Sequence, residues 1–140
     1  MTKVLDSNVL TYIASGDPVG LRAIELIETW LRDGEALHAP ALASYEIANG
    51  LSRLVAAGMF PLRDVPTALA KLEQIPITWH LAHDLAAIVT IADRLGRHSA
   101  YDAAYLALAQ ELNAEVWTFD GPLARNAASV GFPVHLIARS

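Results

Sequence analysis

Short apolar segments alternate with longer amphipathic ones along this chain of 140 residues. Turn residues bound the short segments, which is typical of buried strands, and the longer segments carry apolar residues at helical spacing. We predict strands at residues 3–5, 36–39, 75–79, 115–118 and 133–137, and helices at 18–33, 40–57, 61–72, 81–95, 100–112 and 121–128. This alternation predicts an α/β fold, a three-layer sandwich around a mainly parallel central sheet.

Two local signals bear on these boundaries. Asp17-Pro18 indicates a helix start, with Asp17 as the N-cap and Pro18 in the first helical position. Pro76 weakens the third predicted strand, because proline cannot donate a hydrogen bond to a sheet. The sequence contains no repeat, linker or low-complexity segment, so we expect a single domain over residues 1–140.

The composition restricts the compartment and the kind of site. No apolar stretch approaches the roughly 20 residues that cross a bilayer, and the first residues lack the apolar core of a signal peptide. We therefore expect a cytoplasmic protein with no membrane contact. The absence of cysteine excludes disulfides and zinc–thiolate sites. The mean hydropathy of +0.32 indicates apolar surface that a partner or a second copy covers.

The net charge of −5 argues against a nucleic-acid ligand, because phosphate binding depends mainly on lysine and arginine. The chain has only two lysines, so any phosphate contacts would fall to arginines. The objection weakens if several of the acidic residues bind divalent metal, because each ion cancels two negative charges.

Four acidic residues occupy positions at which a parallel sheet commonly binds ligands, beyond the carboxyl ends of its strands. Asp6 follows the first predicted strand, Asp120 follows the strand that ends at Thr118, and Asp102 lies in the first turn of a helix. Glu46 lies in the middle of a helix. We expect the three aspartates to gather at one edge of the sheet.

Each of these acids also has a purely structural interpretation. Asp6 and Asp120 could cap the helices that follow them. Ser99 and Asp102 resemble a capping box, with Asp in place of the usual Glu or Gln. Glu46 shares a helix face with Asn49, Gly50 and Arg53, and that face could simply be solvated. No single acid decides between the two interpretations, and the expected convergence favours the functional one.

Converging carboxylates raise one another's pKa values and resist joint ionisation. A hard divalent cation relieves that repulsion, and a ligand set made only of oxygen favours Mg²⁺ or Mn²⁺. Such an ion can activate water and offset charge on a phosphoryl group. A cluster of acids can therefore hydrolyse a polyanion that it would otherwise repel.

Four segments resemble the ordered acidic motifs of PIN domains. They are Val4-Leu5-Asp6-Ser7-Asn8-Val9-Leu10, Ser44-Tyr45-Glu46-Ile47-Ala48-Asn49-Gly50-Leu51, Tyr101-Asp102-Ala103-Ala104-Tyr105-Leu106-Ala107-Leu108-Ala109, and Thr118-Phe119-Asp120 followed by Leu123. Each motif is weak by itself, whereas the ordered set of four is specific and covers nearly the whole chain.

The resemblance implies a Rossmann-like parallel sheet, divalent-metal endonuclease activity on RNA, and homodimers. Single-domain members of about this size mostly resemble VapC toxins, ribonucleases that a partner antitoxin holds inactive. The resemblance also implies that Asp6 and Asp102 touch the metal most directly and that Glu46 and Asp120 complete the acidic pocket. Asn8 and Thr118 would support it. Gly121-Pro122 departs from the family pattern, which usually has a basic or polar residue there.

Three arginines are candidates for phosphate contacts because they lie near the acidic motifs in the sequence: Arg94, Arg97 and Arg125. The alternative is that they are ordinary surface residues at helix ends, which the helix dipole favours.

Other functions fit the sequence less well. A haloacid-dehalogenase-like phosphatase needs a second aspartate two residues after the first, and Asn8 stands there. A dinucleotide-binding domain needs a glycine-rich turn that this chain lacks. His80 and His83 have no third metal ligand at a recognised spacing, so we interpret them as the polar start of a helix. A PIN fold acting only as a binding module also remains open.

Overall fold

The computed structural model describes residues 2–96 and 100–139. Its five strands form one sheet in the order β3-β2-β1-β4-β5, and every neighbouring pair is parallel. In chain order the strands are β1 (Lys3–Leu5), β2 (Leu37–Pro40), β3 (Ile77–His80), β4 (Glu115–Thr118) and β5 (Val134–Leu136). The predicted parallel α/β sheet is confirmed. β1 lies at its centre, so the residue after β1 lies in the middle of one edge.

Helices cover both faces of the sheet. They are α1 (Ser7–Ser15), α2 (Pro18–Arg32), α3 (Leu42–Ala56), α4 (Val65–Glu73), α5 (Leu85–Leu95), α6 (Tyr101–Leu112) and α7 (Gly121–Ser129), with a short 3₁₀ turn at Leu62–Asp64. One core contains Leu5 and the buried faces of α1 to α4, and the other contains Val4 and those of α5 to α7. Successive strand residues thus point into opposite cores, as expected for a sheet buried on both sides.

Three helix starts differ from the sequence prediction. The helix predicted over 61–72 begins with the 3₁₀ turn and is α-helical only from Val65. The predicted helix over 81–95 begins only at Leu85, because β3 continues to His80, which pairs with Pro40. The His80 carbonyl also accepts the Ala41 amide at 2.8 Å, so α3 begins at Leu42 rather than at Pro40. The cap at Asp17 is confirmed, since its side chain accepts the Val19 amide at 2.9 Å. No helix within the described ranges is long and apolar enough to cross a membrane.

Lys3 is buried although it is charged, with 6% of its surface exposed. Its amine forms ion pairs with Glu115 on β4 and with Glu35, the latter at 3.2 Å. The same amine lies 5.6 Å and 5.7 Å from the ring centroids of Trp30 and Trp117. A buried charge is costly unless it is paired, and these contacts provide the pairing. They also join the start of β1 to the start of β4.

The α1–α2 contact depends on Gly20. A Cβ at this position would lie 2.6 Å from the Tyr12 carbonyl oxygen, a backbone atom that a side-chain rotation cannot move. We expect Gly20→Ala to lower the free energy of unfolding by about 2 kcal/mol, despite the better helix propensity of alanine. Gly50→Ala is the matched control, because its Cβ would meet the Thr11 side chain at 3.0 Å, which can adjust. Urea titrations of both variants measure the difference, and equal stabilities would contradict the prediction.

Candidate active site

Asp6 follows β1 directly, at the edge of the sheet where β1 and β4 end. Its amide donates to the carbonyl of Trp117 at 3.0 Å, which extends the β1–β4 pairing by one residue before α1 begins. Only 8% of Asp6 is exposed. It stands at the N-cap position of α1 but forms no capping bond with a described amide, so the capping interpretation of Asp6 is wrong.

Thr118 fixes the Asp6 carboxylate. The Thr118 hydroxyl donates to Asp6 Oδ2 at 2.7 Å, and the same oxygen atom of Thr118 accepts from the Asn8 amide at 3.2 Å and the Asp120 backbone amide at 2.9 Å. Asn8 Oδ1 in turn accepts the Phe119 amide at 3.2 Å. A hydroxyl has one hydrogen to donate and two lone pairs, so the orientation of the Thr118 hydroxyl is fully determined.

The pKa of Asp6 is raised from its ordinary value of 3.8 to about 6. Burial is the largest cause, and the hydrogen bond from Thr118 opposes it. The negative charges of Glu46 and Asp102 raise the pKa further. Glu46 and Asp102 are therefore each close enough to Asp6 to repel its negative charge.

Tyr105 connects Glu46 to the rest of the site. Its hydroxyl donates to Glu46 Oε1 at 2.6 Å and accepts the Ser7 amide, the first of α1, at 3.2 Å. Burial and the charge of Asp6 raise the pKa of Tyr105 far above its usual range, so the phenol keeps its proton. Sequence reasoning missed this role. The available signal was a large buried tyrosine one helical turn after Asp102, because a buried hydroxyl needs a partner.

The remaining acids differ in their surroundings. Asp120 Oδ1 accepts the Leu123 amide at 3.0 Å and so caps α7, as the structural interpretation predicted. Asp102 lies in the first turn of α6. Its proposed capping partner Ser99 lies outside the described residues. Glu46 is half-buried and bound by Tyr105, so the solvated-face interpretation does not describe it.

Whether a divalent cation fits this site depends on the ligand atoms that the nearby side chains offer. The acidic side chains that act on Asp6, Glu46 and Asp102, offer only oxygen ligands, and Asp6 Oδ1 is contacted by the Ser7 hydroxyl only at 3.4 Å. A buried carboxylate with a raised pKa and two more carboxylates nearby suit a hard cation. Within residues 2–96 and 100–139, however, no three His, Asp or Glu side chains are already positioned to hold one.

The three arginines predicted near the site are placed differently. Arg94 donates to the Val130 carbonyl at 2.9 Å and lies over the Phe132 ring, just before β5, at the edge where the strands begin. That edge is opposite to Asp6. The Arg125 guanidinium folds back over Gly121, the residue that follows Asp120 in the chain. Arg97 lies outside the described residues.

The two histidines of the sequence His80-x-x-His83 point to separate partners. His80 Nε2 lies 2.7 Å from Nδ1 of His38, and His83 Nε2 lies 3.1 Å from Glu111. The helix that we expected them to start begins later, with Asp84 as its cap.

The raised pKa of Asp6 predicts a pH-dependent stability. A group whose pKa is higher in the folded state stabilises the fold below its unfolded pKa, and that contribution is lost as pH rises through the folded pKa. In chelator, the protein should therefore lose roughly 2 to 3 kcal/mol between about pH 4 and pH 6 because of Asp6. Asp6→Asn should remove this slope, whereas Glu28→Gln on the exposed face of α2 should keep it. Thermal melts across this range measure the slopes, and identical slopes for wild type and Asp6→Asn would refute the assignment.

Comparison with known proteins agrees with this geometry. The family model described as the PIN domain matches residues 3–128. Ribonuclease VapC3 of Mycobacterium tuberculosis is 36% identical over 91 residues, which are 64% of this chain and 64% of that protein. Ribonuclease VapC9 of the same organism is 34% identical over 90 residues, 61% of this chain and 66% of that protein. The matches thus span just under two thirds of the length of these relatives.

A solved structure supports the fold. The crystal structure of PAE2754 from Pyrobaculum aerophilum superposes with a TM-score of 0.64 at 19% identity, over 90% of this chain and 79% of that one. The family model covers all four acidic motifs. The chain belongs to the PIN domain family.

Proposed function

We propose that this protein is a divalent-metal-dependent endoribonuclease and the toxin of a toxin–antitoxin pair. The observation that carries the proposal is the buried Asp6 carboxylate, whose pKa the charges of Glu46 and Asp102 raise further. Such repulsion is costly to the fold and is useful where a cation is bound. The names of the relatives VapC3 and VapC9, both ribonucleases, support RNA as the substrate.

In this proposal Asp6 and Asp102 hold Mg²⁺ or Mn²⁺ most directly, and Glu46 completes the acidic pocket. One oxygen of Asp120 caps α7, so in this proposal Asp120 contributes to the pocket with its other oxygen. When bound, the cation supplies positive charge that activates water and offsets charge on the phosphoryl group. The acidic pocket can then receive a phosphodiester that it would otherwise repel.

The other polar residues of the site act as positioning residues. Thr118 and Asn8 keep Asp6 in one orientation through their chain of hydrogen bonds. Tyr105 holds Glu46 from α6 while it binds the first amide of α1. These contacts fix carboxylates from separate elements relative to one another before substrate arrives, which lowers the reorganisation needed for reaction.

Among the predicted RNA contacts, Arg125 has the best support, because its guanidinium lies over Gly121, the residue that follows Asp120. Arg94 has no part in the proposal, since it is engaged at the opposite edge of the sheet. Arg97 stays a prediction.

A cognate antitoxin and a homodimer are also part of the proposal. Three apolar side chains are exposed around the start of α5: Leu81 by 83% in the loop before it, and Leu85 and Val89 by 66% and 64% one turn apart on the helix. An apolar surface of this kind favours a protein partner or a second copy. A cytoplasmic location stays a prediction.

The alternatives are less well supported. Phosphatase chemistry of the haloacid-dehalogenase type needs an acid at position 8, but the Asn8 amide is engaged with Thr118 and Phe119. A binding module without activity would have no use for repelling carboxylates around a buried Asp6.

Cleavage of RNA tests the enzymatic proposal. The purified protein should cut single-stranded RNA with Mg²⁺ or Mn²⁺ and stop when the metal is chelated. Asp6→Asn and Asp102→Asn should each lose more than about 100-fold in kcat/KM, and Tyr105→Phe about tenfold, because it only positions Glu46. The measurement is the rate of cleavage of a fluorogenic RNA oligonucleotide.

Asp93→Asn is the matched control for these substitutions, because Asp93 is an exposed aspartate on α5. It should cut RNA at the wild-type rate, and all variants should keep the wild-type circular dichroism spectrum. Full activity in excess chelator would rule out the metal-dependent mechanism.

Expression in cells tests the toxin proposal. The protein expressed alone should arrest growth, Asp102→Asn should not, and a small partner protein encoded beside it should relieve the arrest. Growth curves with matched expression levels measure this. Normal growth at high expression of active enzyme would contradict the toxin role.

A further inference from the structure

A cavity of about 650 Å³ leads away from the carboxylates between α1 and α3. Ser7 and Glu46 line it at the end near Asp6, and Met59 and Phe60 also line it. It is therefore continuous with the candidate active site. The mechanism proposed above uses only its inner end.

The groove follows the polar face of α3 that the sequence analysis identified. Asn49, Gly50 and Arg53 line it together with Glu46. A Cβ on Gly50 would lie 3.0 Å from the Thr11 methyl group, so α1 and α3 are in close contact beside the groove. Glu46, Asn49 and Arg53 thus form a row of polar side chains along the groove.

Arg53 is the one cation in the lining of this groove. It is exposed and forms no ion pair with any residue in the described ranges. Seven residues separate it from Glu46, which is close to two helical turns and about 10 Å along the helix axis. A positive charge at this distance suits a phosphate next to the one held at the carboxylates.

We propose that this groove binds the stretch of single-stranded RNA adjoining the cleaved phosphodiester, with Arg53 on a neighbouring phosphate. Asn49 offers an amide for hydrogen bonds to a base or ribose, and Met59 and Phe60 offer apolar surface for a base. The inference rests on the proposed ribonuclease function. It adds a substrate subsite and names the residue that dominates it.

The geometry favours RNA over a segment of a partner protein as the occupant. A chain that is cut at Asp6 must extend to either side of the carboxylates, and this groove opens directly from Glu46. Glu46 and Asp17 also line the groove, but Arg53 forms no ion pair with either of them, so its charge is available to an anionic ligand.

The experiment compares Arg53→Gln with Arg63→Gln, a matched exposed arginine on the 3₁₀ turn, which does not line the groove. Both substitutions are made in the wild type and in Asp102→Asn, which we expect to bind RNA without cutting it. Fluorescence anisotropy of a labelled single-stranded RNA measures Kd at several salt concentrations. Cleavage of the same RNA gives KM and kcat, and thermal melts check that each variant folds.

We expect Arg53→Gln to raise Kd about tenfold at low salt, the loss that removing one charge-assisted contact causes. The slope of log K against log salt should shrink by about 0.7, the value for one phosphate contact on a single strand. KM should rise with kcat nearly unchanged, because a contact remote from the reacting atoms is made equally in ground and transition states. Arg63→Gln should match the unsubstituted protein.

The outcomes separate this inference from the proposed function. If the wild type cuts RNA and the two arginine variants are indistinguishable in Kd and salt slope, the groove is not an RNA subsite, although the enzyme assignment stands. If Arg53→Gln keeps its RNA affinity and loses affinity for the partner protein, the groove belongs to that partner and the inference is overturned. If the wild type neither binds nor cuts RNA, the proposed function and the subsite are both refuted.

Discussion

The buried carboxylate of Asp6 is the constraint on which the arrangement of this site depends. A carboxylate that is 8% exposed must be paired, hydrogen-bonded or protonated, because desolvation penalises its charge. Thr118 supplies one hydrogen bond, and Thr118 is available only because β4 lies beside β1 and ends at the same edge. The same strand pairing brings Asn8 and Asp120 to that hydroxyl. The central strand pair therefore determines both the position of Asp6 and its environment.

Much of the fold could be predicted because it depends on local patterns. The alternation of buried strands with amphipathic helices indicated a parallel α/β sheet, and Asp17-Pro18 marked a helix start. The boundaries near Pro40 and His80 could not be predicted, because they depend on pairing between β2 and β3, which are distant in the sequence. The burial of Lys3 was equally hidden, since Glu35, Glu115 and two tryptophans compensate it only in the folded chain.

The candidate site could also be predicted in part, because some of its residues follow from local patterns. Asp6 and Asp102 follow from the rule that ligands bind beyond the carboxyl ends of parallel strands. Hydrogen bonds between side chains of separate elements leave no such pattern, so the role of Tyr105 was missed. Arg94 was predicted near the site because it precedes an acidic motif in the sequence. In the structure it contacts Val130 and Phe132 instead, so closeness in sequence did not mean closeness in space.

The fixed orientation of the Thr118 hydroxyl has a consequence for where a proton resides. Thr118 gives its only hydrogen to Asp6 Oδ2, so this oxygen is occupied as an acceptor. We therefore expect a protonated Asp6 to carry its proton on Oδ1, which the Ser7 hydroxyl contacts only at 3.4 Å. In the proposed mechanism Oδ1 would also be an atom that meets the cation. Proton and cation would then compete for one oxygen atom, and a cation bound in mildly acidic solution would release a proton from it.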